Sequence, residues 1–235
     1  EADVTVTRMS ETAYLVVTPA ATRLADETWM RRQQGNFDVV ITDATAGEGV
    51  LAVMGPRSRE LLQAVSPADF SNDVNPFGTA QEIELGMGLA RVHRVTYVGE
   101  LGWEIHAENA AMPPIYDAVL AAGAKPFGMY ALNSLRMEKG YRTWKGDLST
   151  DYTLLEGGLD RFIKLDKPQD FNGKAALQNE RQQGSKKRFV TLIVEAGECD
   201  APYMSTLWHD GDVVGETTSG AWGYRVNASI ALGML

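Results

Sequence analysis

The chain has 235 residues, 44% of them apolar and 23% charged, with a net charge of −9. It can bury a sizeable core, in one large domain or two to three small ones. The acidic balance argues against a nucleic-acid partner, which needs a concentrated basic surface; no apolar run approaches membrane-helix length; and the single Cys199 excludes an intrachain disulfide, as suits a reducing compartment.

Residues 3–9 alternate and predict a strand, and residues 13–18, rich in Val and Leu, predict another across the polar turn Ser10-Glu11-Thr12. Residues 22–34 read as a helix stopped by Gly35. Residues 37–42 and 50–54 predict a second strand pair, and 57–65 a short helix after Gly55-Pro56. The Pro-, Asn- and Gly-bearing stretch 66–79 is irregular. Strands are expected at 83–88, 90–98 and 101–107, then a helix at 112–122 with Pro113 and Pro114 in its first turn. Residues 130–141 are the most helical run, 145–153 read as a loop, and 171–183 as a polar helix. Short strands at 189–195, 204–209, 212–216 and 228–232 make an all-β segment starting near Gly184. The pattern predicts an α+β fold over 1–183 with helices on one face, followed by a β segment over 184–235.

The run T-Y-V-G-E-L-G-W-E-I-H at 96–106 reads as a β-hairpin. Gly99 and Gly102 bracket its turn, where positive φ or close backbone approach is expected. Strand alternation puts Glu104 and His106 on one side, and Trp103 and Ile105 on the other. A carboxylate placed there can accept two N–H bonds from a flat nitrogen heterocycle; an edge strand with a surface Glu is the plainer alternative.

The segment Y-V-G-E-L-G-W-E-I resembles the Y-x-G-E-x-G-x-E-[IL] signature of the glycine-cleavage T-protein family. The runs S-L-R-M-E-K-G-Y-R at 134–142, E-A-D-V-T-V-T at 1–7 and K-G-D-L-S-T-D-Y-T-L-L-E-G-G-L at 145–159 agree with it, in a form similar to the folate-binding C-terminal half of dimethylglycine and sarcosine dehydrogenases. The resemblance implies a T-protein-like cloverleaf of α+β domains with a C-terminal all-β barrel segment, here expected to be truncated at both ends. It implies a tetrahydrofolate-binding transferase that passes an iminium or formaldehyde unit from an N-methyl amine to tetrahydrofolate, giving 5,10-methylenetetrahydrofolate. FAD would belong to an N-terminal dehydrogenase domain of the same polypeptide. The implied location is cytoplasmic, or the mitochondrial matrix in a eukaryote, with no membrane or nucleic-acid partner.

Carried over residue by residue, the resemblance makes Asp3 the catalytic group near the folate nitrogens, with Glu1 and Ala2 lining the same stretch. A carboxylate there can orient the amine, stabilise charge developing on nitrogen and accept its proton. Tyr97 and Glu104 become pterin contacts, one on each hairpin strand, with Ile105 and His106 continuing the second. Read alone, His106 is a partly exposed histidine with no assigned duty. Arg136 stands where the family has a folate-holding Arg, yet it can instead pair with Glu138 or Asp147. Val17 matches an apolar position under the ligand, and Trp144 can stack on the folate aryl ring or serve the core. Pro19 replaces a family Asn. A stand-alone folate-dependent aminomethyltransferase or demethylase, and a non-catalytic folate-binding module, are the alternatives. The three histidines form no local metal motif, and no flavin-binding glycine fingerprint is present.

Overall fold

The computed structural model describes residues 2–235, and the chain divides into two compact units, one running to Phe127 and the other Gly128–Leu235. Glu1, an expected site residue, lies outside the described residues.

The first unit opens with the antiparallel hairpin β1 (Thr5–Arg8) and β2 (Tyr14–Val17), in which Thr5 faces Val17. The predicted strand over 3–9 is therefore shorter. Continuing the register would set Asp3 opposite Pro19, which has no N–H to donate, so the ladder ends at Thr5 and Asp3 stands ahead of it, exposed. Helix α1 (Arg23–Gln33) follows. The hydroxyls of Thr18 and Thr22 donate to Asp26 and hold its carboxyl below the usual range.

The expected strand at 37–42 does not form. Its backbone is satisfied locally: the Gln34 amide donates to the Val39 carbonyl at 2.6 Å and the Arg31 guanidinium to that of Ile41 at 2.9 Å. The strand paired with it in the prediction, β3 (Glu48–Met54), takes another partner. With β4 (Ala80–Leu85), β5 (Gly88–His93) and β6 (Gly102–Glu108) it forms an antiparallel sheet of order β3-β6-β5-β4. One face is the core. Val53, Ile83, Leu85, Val92, Trp103 and Ile105 pack there against Leu62 of α2 (Ser58–Ala64) and Ile115 and Val119 of α3 (Met112–Ala121). Trp103 anchors it: its indole N–H donates to the Asn75 side chain, and the Phe70 ring meets it edge-on at 5.5 Å.

The β5–β6 connection is longer than predicted. Arg94 exchanges backbone hydrogen bonds with Gly78 and Thr79, which ends β5 at His93. Residues 94–101 are a loop, so Tyr97 sits on the loop and not on a strand. Both turn glycines meet their expected demands. Gly99 has φ +70°, and a Cβ at Gly102 would lie 2.8 Å from Met54 Cγ and 3.1 Å from the Val95 carbonyl oxygen.

The second unit contains α4 (Met129–Glu138), α5 (Lys174–Gln183) and the strands β7 (Phe189–Val194), β8 (Thr206–His209), β9 (Asp212–Gly223) and β10 (Ala228–Met234). The strands form one antiparallel sheet of order β7-β10-β9-β8; among the described residues it is an open sheet, not a closed barrel. Met137 of α4 packs with Ala221, Ile230 and Leu232. β9 runs past the predicted 212–216 because its inward positions are Thr217, Ser219 and Ala221, small or polar residues that give no apolar alternation. Gly220 permits this: a Cβ there would fall 1.7 Å from the Ala201 carbonyl oxygen. No helix among the described residues is long and apolar enough to cross a membrane.

Candidate functional site

Strand β6 sorts its side chains as the alternation predicts. Trp103 and Ile105 are fully buried in the core, and Glu104 and His106 point to the opposite face. On that face β5 contributes Arg91 beside His106 and His93 beside Glu104, while β3 places Val50 and Ala52 along the other flank. The result is a small polar cluster seated on a rigid sheet.

His106 is not the partly exposed residue expected; it is 4% exposed, because the His93 ring stacks on it with centroids 4.4 Å apart and planes 22° from parallel. His93 is 2% exposed. The Nε2 atoms of both rings are enclosed without a hydrogen-bond partner. Burial, and then the neighbouring His106, push the His93 imidazole down to about 4. Sequence reasoning missed His93; its signal was the register of β5 against β6, which no local motif announces.

Glu104 is the open edge of the cluster, its side chain 30% exposed. Its carboxylate lies 3.7 Å from His106 Nε2, an ion-pair distance and longer than a hydrogen bond. No hydrogen-bond donor among the described residues is bound to it. Arg91 is engaged elsewhere, 3.3 Å from the Glu48 carboxylate and 3.8 Å from that of Glu82. Glu104 is thus an anchored carboxylate with spare acceptor capacity, the property a planar ligand with paired N–H donors requires.

The other expected residues are distributed over the chain. Ile105 lies behind Glu104 in the core, and Tyr97 is half-buried on the loop that leads into β6. Ala2 and Asp3 are exposed at the approach to β1, and Val17 is half-buried in β2 opposite Thr5. Arg136 and Trp144 belong to the second unit. The Arg136 guanidinium directs its five N–H groups inward, to Asn133 (two), the Tyr141 carbonyl, Ser219 and Asp147. Of the partners open in the sequence it takes Asp147; Glu138 instead accepts from the Arg225 and Val226 amides. Trp144 is half-buried, with its indole N–H enclosed and unpaired. Two grooves, one bordered by β3, α2 and α3 and one beside Lys186-Lys187-Arg188, are lined by other residues than these.

Comparison with known proteins completes the picture. A family model described as the GCVT N-terminal domain matches residues 1–167, and one described as the glycine cleavage T-protein C-terminal barrel domain matches 187–235. The chain is 36% identical to the mitochondrial dimethylglycine dehydrogenase of Homo sapiens over 98% of its own length and 27% of that protein. It is 39% identical to the mitochondrial sarcosine dehydrogenase of Mus musculus over 86% of this chain and 22% of the relative. An aminomethyltransferase of Listeria welshimeri is 32% identical, across 99% of this chain and 64% of its own length. The chain therefore spans about a quarter of the dehydrogenases it matches. A crystal structure of the glycine cleavage system aminomethyltransferase T from Bartonella henselae superposes with a TM-score of 0.86 at 24% identity, covering 100% of this chain and 63% of that one, and so shares the fold. By sequence match across both of its family segments, the chain belongs to the glycine cleavage T-protein family.

Proposed function

We propose that the chain is the tetrahydrofolate-binding, one-carbon-transferring region of a dimethylglycine or sarcosine dehydrogenase-like protein. The observation that carries this is Glu104: a partly exposed carboxylate on a rigid strand, bound to no hydrogen-bond donor among the described residues, beside the Tyr97 loop. The N–H pair of a pterin ring fits such an acceptor as a bidentate, charge-assisted contact. Tyr97 completes that side of the pocket, with His106 on the same strand face as Glu104; the Ile105 side chain is buried in the core on the other face, so it backs Glu104 and does not meet the ligand. Ala2, Asp3 and Val17 line the second side. Arg136 shapes the second unit through its buried network.

Asp3 is the catalytic group of this reading. Tetrahydrofolate would supply the two nitrogens that take up the iminium carbon, and the donor nitrogen would leave as a free amine; Asp3 would accept a proton from one folate nitrogen and return it to the departing amine, the proton of the second nitrogen passing to solvent. Exposure ahead of β1 keeps its carboxylate accessible to a substrate. The oxidation that makes the iminium belongs to an FAD-dependent domain of the same polypeptide, in keeping with the dehydrogenases of which this chain matches about a quarter. On this reading residues 1–183 are the folate-binding region and 184–235 the C-terminal β segment. The mitochondrial relatives favour the matrix for a eukaryotic protein. The second reading is a stand-alone aminomethyltransferase, favoured by the Listeria relative, whose length this chain covers more fully.

The test is turnover in the complete protein: formation of 5,10-methylenetetrahydrofolate from a methylated amine and tetrahydrofolate. Asp3→Asn should lower turnover while folate affinity stays near wild type. Unchanged turnover in Asp3→Asn removes the catalytic assignment.

A further inference from the structure

Tyr97 stands on the loop 94–101, and that loop is held at both ends and in its middle. At its start Arg94 exchanges backbone hydrogen bonds with Gly78 and Thr79, and its guanidinium donates to the Asn75 carbonyl at 2.6 Å. In the middle the buried Val98 follows Tyr97, and the Thr96 hydroxyl before it donates to Met54 Sδ at 3.7 Å. At its end the Leu101 carbonyl accepts twice, from the Gly55 amide at 2.7 Å and from the Ser58 hydroxyl at 2.9 Å. Ser58 opens α2 and is 4% exposed. A serine at a helix start commonly turns its oxygen to the free amides of that helix's first turn. Among the described residues no amide of α2 donates to Ser58. Its hydroxyl faces the Gly55 carbonyl at 2.7 Å and, 43 residues along the chain, that of Leu101.

We propose that Ser58 is a positioning residue of the folate site: its hydroxyl pins the Leu101 carbonyl and so fixes the Tyr97 loop where it enters β6, just ahead of Glu104. Glu104 needs no help from this bond, because the ladders of β6 with β3 and β5 set its place. Tyr97 has no ladder. Residues 94–101 form no strand, so its place is set by loop contacts, among them those of Thr96, Val98 and Leu101. Without the Ser58 hydroxyl the Leu101 carbonyl keeps the Gly55 amide, and a loop end held more weakly samples wider positions. A ligand that must meet both Tyr97 and Glu104 then re-orders the loop as it binds, which lowers affinity. Ser58 is itself enclosed, so it acts through Leu101 and not by touching the ligand.

The inference rests on the folate reading, and the test keeps the two apart. 5-Formyltetrahydrofolate is titrated calorimetrically into the full-length protein as wild type and with Ser58→Ala, Tyr97→Ala, both changes together, or Ser66→Ala. Ser66 is the control: it is likewise buried, and its hydroxyl donates at 2.5 Å to the Glu84 carbonyl on β4 instead of to the loop. Ser58→Ala should lower affinity about three- to tenfold, the range that one hydrogen bond sets, and Ser66→Ala should leave it unchanged. In the Tyr97→Ala background Ser58→Ala should have no further effect, because the loop then has no ring to place. Wild-type affinity in Ser58→Ala overturns the inference. So do equal losses in Ser58→Ala and Ser66→Ala, which would mark a general loss of structure, and losses of Ser58→Ala and Tyr97→Ala that simply add. Wild-type affinity in Tyr97→Ala removes the residue that Ser58 positions and overturns the inference, while the Glu104 site stands. Absence of folate binding by wild type overturns the site reading and the inference with it.

Discussion

The sharpest stability prediction concerns Asp147. It is fully buried and accepts from Arg136 Nη1 at 2.5 Å, the Thr143 amide at 2.9 Å and the Thr218 hydroxyl at 2.6 Å. Arg136 is 4% exposed, with its other N–H groups spent on Asn133, Tyr141 and Ser219. Asp147→Asn keeps the shape and removes the counter-charge, leaving a guanidinium enclosed beside a neutral amide. Breaking a buried pair from one side costs about 3–5 kcal/mol. The neutral partners of Arg136 remain in place, so the lower half of that range is expected. The double variant Arg136→Met/Asp147→Leu removes both charges and should recover much of the loss, since the desolvation penalty disappears with them. Native-state hydrogen exchange of the α4 and β9 amides is the assay, because it reads the second unit without assuming that the whole chain unfolds in one step. A loss below about 1 kcal/mol in Asp147→Asn, the size of an exposed ion pair, would refute the reasoning.

Acid should weaken the first unit through His93. Its folded pKa lies near 4, below the unfolded value, so the unfolded chain binds the proton first; the stability is complete above about pH 6.5 and is lost as pH falls toward 4. The effect is worth about 3 kcal/mol, and His93→Phe should lack it when wild type and variant are unfolded in urea at neutral and mildly acidic pH. Equal acid sensitivity in the two proteins would contradict the assignment. Gly102→Ala should cost about 1–3 kcal/mol by urea unfolding, because the added Cβ meets Met54 and the Val95 carbonyl at the mouth of the Tyr97 loop. It should also weaken folate binding, whereas unaltered affinity would show that the loop does not place the ligand.

What the sequence made legible was set by local physics. The two glycines of G-E-L-G behave as their backbone demands require, and period-two alternation correctly divides Trp103 and Ile105 from Glu104 and His106. Helices with clear stops, such as α3 before Gly123, fall within a residue of expectation. The failures are matters of pairing. The segment 37–42 has strand-like composition, but Arg31 of α1 and Gln34 just after it bond to its backbone, and β3 pairs with β6. Asp3 leaves its strand because the register meets Pro19. β9 extends where Thr217, Ser219 and Ala221 face inward and no apolar pattern exists to read. In the site, Glu104 was visible in the motif, whereas the burial of His106 was not. That burial depends on His93, placed by strand register alone.

Calorimetric titration with 5-formyltetrahydrofolate, comparing wild type with Glu104→Ala in the full-length protein, tests the central claim most directly. The account predicts that wild type binds and that the variant loses roughly 2 kcal/mol or more, the scale of a hydrogen-bonded charged partner. Equal affinities in the two proteins, or no binding by wild type, would contradict it.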